Sequence, residues 1–196
     1  MKNILLAVRP KWVEKICHEI GKDENGKPIY EKRIEVRKTA PKEVPFKAYI
    51  YCAKGNDGYE WLYRVDNNGY GKAQSWHGKV IGEFVCDKVY LIKNQGSMFS
   101  VADEEQSVTN EIARQSCLDY YDMVSYLGNK YGYAWHISDL HIYDKPKELS
   151  EFFRTCPTKE KGDCLSCDCL ADNDYGGVCT NNLTRPPQSW MYVKEL

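Results

Sequence analysis

Three residues within one short stretch have the types and spacing to do chemistry together. In "EKRIEVRK", Glu31 to Lys38, the charged residues Lys32, Glu35 and Arg37 surround just two apolar ones, Ile34 and Val36. Strand alternation sends Ile34 and Val36 to one face, and Arg33, Glu35 and Arg37 to the other. Edge strands often carry charge simply to stay solvated, and that reading would explain the pattern without any site. The same face can also be one wall of a site. Arginine then offers a planar fork to phosphate or a base edge, and lysine a point charge. A carboxylate between them accepts from exocyclic amines or ring N–H groups. Lys32 has the core-facing parity, so it is expected at the strand's mouth, reaching outward. A lysine–glutamate pair also performs acid–base work when burial moves its pKa values.

A second cluster is made of cysteines. Of nine in the chain, Cys17, Cys52, Cys86 and Cys117 sit in apolar settings and read as small core residues. The other five crowd into "CPTKEKGDCLSCDCLADNDYGGVC". Cys164-x-x-Cys167 has zinc-knuckle spacing, and Cys156 and Cys179 flank it. The expected arrangement is a closed structural zinc site of Cys156, Cys164, Cys167 and Cys179. Cys169 is the alternative ligand, replacing Cys167 or Cys156. The segment has little apolar content, so a metal would supply its folding free energy, on the order of 10 kcal/mol in small zinc peptides. Disulfides and a disordered tail are the competing readings.

The histidines point nowhere in particular. His136 and His141 are five apart in what reads as one strand, hence on opposite faces and not a metal pair. His18 and His77 read as structural. No Ser–His–Asp arrangement is evident, and "GYGKAQS" lacks the helix pattern a phosphate loop requires. Arg9 and Lys54 end two predicted strands, where clefts are commonly lined. Trp12, Tyr51 and Trp190 could stack a base, although Trp12 on an apolar helix face reads first as core.

The elements that must position these groups alternate irregularly. Asn3 to Val8 reads as a buried strand. Pro10 opens a helix whose apolar positions Trp12, Val13, Ile16, Cys17 and Ile20 repeat at helical spacing, and Gly21 ends it. Residues 21–30 form a polar loop or a small hairpin. Strands are expected at 31–38, 46–54, 79–92 (with Gly82 a bulge or bend), 133–144 and 189–196. Residues 97–116 have weak helical character, 117–128 form a short amphipathic helix, and 145–152 one helical turn. This order predicts an α+β fold, a small, partly closed β-barrel with flanking helices. We expect residues 1–196 to form a single domain, with 156–179 as a Cys-rich insertion.

The net charge of −1 excludes a simple basic nucleic-acid glue. Residues 1–54 nevertheless hold 13 Lys/Arg against 7 Asp/Glu, so a local surface for an anionic ligand is possible. Residues 101–128 hold 6 Asp/Glu against 1 Arg, which would suit a protein partner. No apolar run approaches the roughly 20 residues of a membrane span. "MKNILLAVRP" lacks a signal-peptide cleavage site, so a cytoplasmic protein is expected.

The Lys32–Glu35–Arg37 spacing resembles the G-x-K-x-x-E-x-R signature of the ASCH domain, in the PUA-like superfamily. The glycine position falls on Tyr30. The similarity extends through "FKAYIYCAK", "GKVIGEFVCDKVY", "YAWHISDLHIYDKPKELSEF" and "RPPQSWMYV", nearly the whole chain. It is nearest to ASCH-like proteins of phages and mobile elements in gut bacteria. The resemblance implies a PUA-like barrel that binds RNA or a modified nucleotide in a cleft, with Lys32, Glu35 and Arg37 lining it. Arg9 and Lys54 would then steer phosphate, and Trp190 would stack a base. A hydrolase branch of the family acts on acylated nucleosides with a Lys and a Thr. Lys32 matches the Lys, but Glu35 stands at the Thr position. A hydrolase acting on modified nucleosides or RNA, with Lys32 and Glu35 as its catalytic pair, is the alternative. A third reading is a mobile-element protein that binds a host protein.

Overall fold

The computed structural model describes residues 1–55, 63–64, 74–94, 99–128, 130–154 and 182–195. The five clustered cysteines, Cys156 to Cys179, lie outside the described residues. So do most of the loop after Lys54 and the links around them.

The chain opens with strand β1 (Lys2–Val8), an apolar run buried from Ile4 to Leu6. Helix α1 (Pro10–Cys17) follows, with Pro10 in its first turn and Val13 and Ile16 buried. The helix stops at Cys17, three residues before the expected Ile20. Its last carbonyls are taken by the chain coming back: Glu31 N–H donates to His18 O and Lys32 N–H to Lys15 O. Ile20 is therefore 53% exposed and not core. A hairpin, β2 (Glu19–Lys22) and β3 (Pro28–Tyr30), occupies the stretch before the charged strand. The Asp23 carboxylate caps its turn by accepting from Asn25 and Lys27 N–H, and Gly26 takes a positive φ of 77° there.

Next come β4 (Ile34–Arg37), β5 (Phe46–Cys52), the short β6 (Tyr63–Arg64) and β7 (Gln74–Ser75), then β8 (Val80–Cys86) and β9 (Val89–Asn94). The expected single strand over 79–92 is thus two strands, broken at Asp87–Lys88. Gly82 sits at a register shift in both of β8's ladders. A Cβ there would lie 2.5 Å from the His141 carbonyl oxygen, so only glycine lets the two backbones approach. After β10 (Phe99–Val101) come helix α2 (Gln106–Ser116) and helix α3 (Tyr120–Leu127), the latter capped by Asp119 accepting from Asp122 N–H. Strands β11 (Gly132–His136) and β12 (Ser138–Lys147) replace the one strand predicted at 133–144. His136 and His141 therefore belong to different strands, and among the described residues no group of three or more metal-ligating side chains forms. A 3-10 turn (Leu149–Glu151), β13 (Phe152–Arg154) and β14 (Trp190–Glu195) complete the described chain.

The strands form a six-stranded sheet, β12-β8-β5-β1-β14-β13, and a four-stranded sheet, β10-β9-β11-β4. The fold is α+β, as expected. The ladders do not close into a barrel among the described residues. The sheets are joined on one side, where β8 runs into β9 and β11 into β12. On the other side β4 is only four residues long, and a side chain links it to β1: Arg37 Nη2 donates to Ala7 O at 2.8 Å. One apolar core lies between the sheets, with Phe46 and Trp135 edge-to-face across it at 5.1 Å. A second covers the outer face of the six-stranded sheet with Phe152, Leu183 and Val193. A third packs Ile112 of α2 and Leu127 of α3 onto Ile34 and Val36. No helix among the described residues is long and apolar enough to cross a membrane.

Candidate functional site

Strand β4 is an edge strand by its ladders, yet all four of its residues are buried. The alternation places Ile34 and Val36 against α2 and α3. Glu35 and Arg37 pair across the ladder with Trp135 and Tyr133, on the face that looks into the space between the sheets. The charged face is therefore not solvated. Lys32, Glu35 and Arg37 are only 2%, 5% and 8% exposed. Lys32 precedes the strand, so strand parity does not govern it. It turns inward and does not reach out from a mouth: Nζ donates to Ser116 O at 2.6 Å, lies 3.4 Å from Glu35 Oε2, and sits 5.1 Å from the centre of the Trp12 ring. Ser116 is the last residue of α2, so the ammonium meets the negative end of a helix. Arg37 Nη2 pairs with Glu35 Oε1 at 2.8 Å.

Two cations and one carboxylate thus share a buried site. Desolvation pushes the Lys32 ammonium below its usual pKa, and the nearby Glu35 carboxylate opposes that. Burial raises the Cys117 thiol, with Lys32 pulling the other way. At this site Arg37 Nε and Trp135 Nε1 are buried without a hydrogen-bond partner, and Glu35 Oε2 makes no hydrogen bond although the Lys32 ammonium lies 3.4 Å away. Leaving such groups unpaired costs about 1–3 kcal/mol each, more when charged. A fold keeps them only if other interactions offset that cost or a ligand completes them.

Glu35 and Arg37 both border a cavity of about 840 Å³. Arg9, Lys32, Glu35, Arg37 and Lys54 all line it. Arg9 and Lys54 are exposed and follow the parallel strands β1 and β5, whose pairing brings them to one end of the sheet. Trp12 is half-buried and lines the cavity. Tyr51 lines it too, nearly buried, and its hydroxyl's pKa is raised by desolvation. Trp190 is not among the lining residues. It pairs with Leu6 on β1, its ring packs on Trp135 and Tyr192, and its Nε1 donates to Thr39 Oγ1 at 3.0 Å. Its predecessor Ser189 borders the cavity, so a one-residue alternation directs Trp190 into the core between the sheets.

Sequence reasoning missed part of the lining. Asp122, Ser125 and Tyr126 of α3 line the cavity, as do Thr184 and the Pro186–Ser189 stretch. Spacing i, i+3, i+4 could mark the three α3 residues as one helix face. Nothing in an eight-residue amphipathic helix says whether its polar face meets solvent or a cleft.

The fold and site define a two-sheet α+β protein with a cationic, aromatic-lined cavity bounded by β4, α3 and the ends of β1 and β5. No family model matches the chain, and no curated protein matches it. Among solved structures it is similar to the ASCH crystal structure from Zymomonas mobilis, at 13% identity and a TM-score of 0.49, covering 98% of this chain and 88% of that one. It is likewise similar to two mutant proteins of the same ASCH. Both have 13% identity and a TM-score of 0.49, with 99% and 98% of this chain and 91% and 89% of theirs covered.

Proposed function

We propose that the chain is an ASCH-type, PUA-like nucleic-acid-binding module that takes one unstacked base of RNA, or a modified nucleotide, into its cavity. The observation that carries this is the buried Lys32, Glu35 and Arg37 cluster bordering the cavity, in which Glu35 Oε2 and Arg37 Nε make no hydrogen bond. One accepts and the other donates. A base edge offers both donors and acceptors, the two kinds of partner this cluster lacks. The volume lies within the roughly 300–1,000 Å³ of small-ligand sites. Trp12 and Tyr51 supply aromatic surface, and Arg9 and Lys54 supply exposed positive charge for a phosphate. Binding of fluorescent RNA and DNA oligomers and of mononucleotides tests the reading. Arg37→Ala should weaken binding at least about tenfold, the worth of a charge-assisted hydrogen bond. Equal affinities for the parent and Arg37→Ala reject the assignment.

The lowered pKa of Lys32 favours a second reading, hydrolysis of a modified nucleoside or RNA with Lys32 as the base. It expects turnover that disappears in Lys32→Met.

The zinc reading of Cys156, Cys164, Cys167 and Cys179 stands beside these as a structural proposal carried by cysteine spacing. One zinc per chain is expected by elemental analysis after reducing purification with zinc supplied. A clean zero sinks it.

A further inference from the structure

We propose that the cavity selects ribose over deoxyribose, Asp122 of α3 accepting a hydrogen bond from the sugar's 2′-hydroxyl. The inference rests on the nucleotide reading of the same cavity and goes beyond it, because the phosphate and most base edges are the same in RNA and DNA.

It starts from the charges that line the cavity. Four are cations: Arg9, Lys32, Arg37 and Lys54. Two are carboxylates, Glu35 and Asp122. Glu35 is answered by Lys32 and Arg37. Asp122 is half-buried, and among the described residues no side chain pairs with its carboxylate. Only its backbone is engaged, as the N–H that donates to the Asp119 cap. A lone carboxylate on the wall of a phosphate-binding cavity repels the ligand unless the ligand brings it a donor.

A nucleotide has two kinds of donor, N–H groups on the base and hydroxyls on the sugar. Glu35 is the acceptor for the base in that reading, held between Lys32 and Arg37 with its Oε2 making no hydrogen bond. The sugar hydroxyls remain for Asp122. Ser125 lies three residues on, on the same face of α3, and also lines the cavity. Its hydroxyl can donate to or accept from the neighbouring 3′-oxygen. Acidic side chains that accept from a ribose 2′-hydroxyl recur in dinucleotide sites. The 2′-hydroxyl is also the group by which proteins tell RNA from DNA.

The test is calorimetric titration of the full chain with uridine and deoxyuridine 5′-monophosphates, the adenosine pair, and matched RNA and DNA oligomers. The parent should bind the ribose form about tenfold more tightly, the worth of one charge-assisted hydrogen bond. Asp122→Ala should bring that ratio to about one, with the ribose ligand taking the loss. Asp122→Asn, which keeps an acceptor of similar shape, should retain part of the preference. A ribose preference that survives Asp122→Ala overturns the proposal, as does a parent that binds both sugars equally. A parent that binds none of these ligands overturns the nucleotide reading and this proposal together. That outcome is distinct from binding without discrimination.

Discussion

Glu35→Gln unfolds at a melting temperature roughly 6–20 °C below the parent and loses nucleotide binding. The fall follows from the arrangement around Glu35. Lys32 and Arg37 are both buried, and Glu35 is the carboxylate that lies 3.4 Å from one and 2.8 Å from the other. Removing one partner of a buried ion pair leaves charge uncompensated in a low-dielectric site, which costs about 3–5 kcal/mol. In a chain of this size each kcal/mol moves the melting temperature by about 2–4 °C. A glutamine keeps the shape and one acceptor, so the loss reports charge and not a cavity. The double variant Lys32→Met/Glu35→Gln should recover a substantial part of it, because one of the orphaned cations goes as well. That recovery is the coupling between the two sites. Thermal denaturation followed by circular dichroism checks all three proteins. A Glu35→Gln variant melting within a degree of the parent would show that the carboxylate holds no buried charge in balance.

Lys32→Met folds, and its stability relative to the parent depends on pH in a direction that can be worked out. Lys32 is fully enclosed, and desolvation lowers its pKa in the folded state below the ordinary 10.5. Between the folded pKa and 10.5 the unfolded chain binds more protons at this lysine than the folded one does. Stability from this group therefore rises with pH through that window. It is fully present above 10.5 and is lost as pH falls through the folded pKa. Methionine carries no proton, so the parent should gain on Lys32→Met as pH is raised from 7 towards 10. Inside the window the gain is at most about 1.4 kcal/mol per pH unit. Taking the difference between the two proteins cancels the other groups that titrate in this range, Tyr51 among them. At neutral pH the variant loses the bond to Ser116 O but also the cost of burying an ammonium, so the two should lie close in stability. Its nucleotide affinity should nevertheless fall, since the cavity loses a cation. Urea denaturation at pH 7, 8.5 and 10 reads the stability gap directly. A gap that stays constant across the three would mean that Lys32 keeps its ordinary pKa.

Both predictions concern the stretch whose charges could be read in the sequence but whose surroundings could not. Alternation correctly divided β4 into Ile34 with Val36 and Glu35 with Arg37, because the two-residue period is a property of any extended chain. Pro10 at the start of α1, the turn at Asn25-Gly26 and the need for glycine at position 82 were legible for the same reason: each is a local demand of backbone geometry. The boundary of α1 was not. Its helical pattern runs to Ile20, but the link between β3 and β4 returns at residues 31 and 32 and takes carbonyls at the helix end. The breaks that divide 79–92 into β8 and β9, and 133–144 into β11 and β12, are not legible either. Each is a corner between two sheets, and a corner leaves no mark on hydrophobicity.

The sequence by itself determined which groups were available: a lysine, a glutamate and an arginine at fixed spacing, cations after two strands, and an amphipathic helix bearing Asp122. Tertiary structure alone decided that they face one another. Lys32 meets Ser116 across 84 residues of chain, and Arg37 meets Ala7 across 30. An edge strand is exposed or enclosed according to what packs beside it, and here α2, α3 and the end of β1 enclose it. Burial then converts a run of charges, harmless in water, into a small set of strongly interacting groups with unmet hydrogen bonds, because the dielectric that screens them is gone.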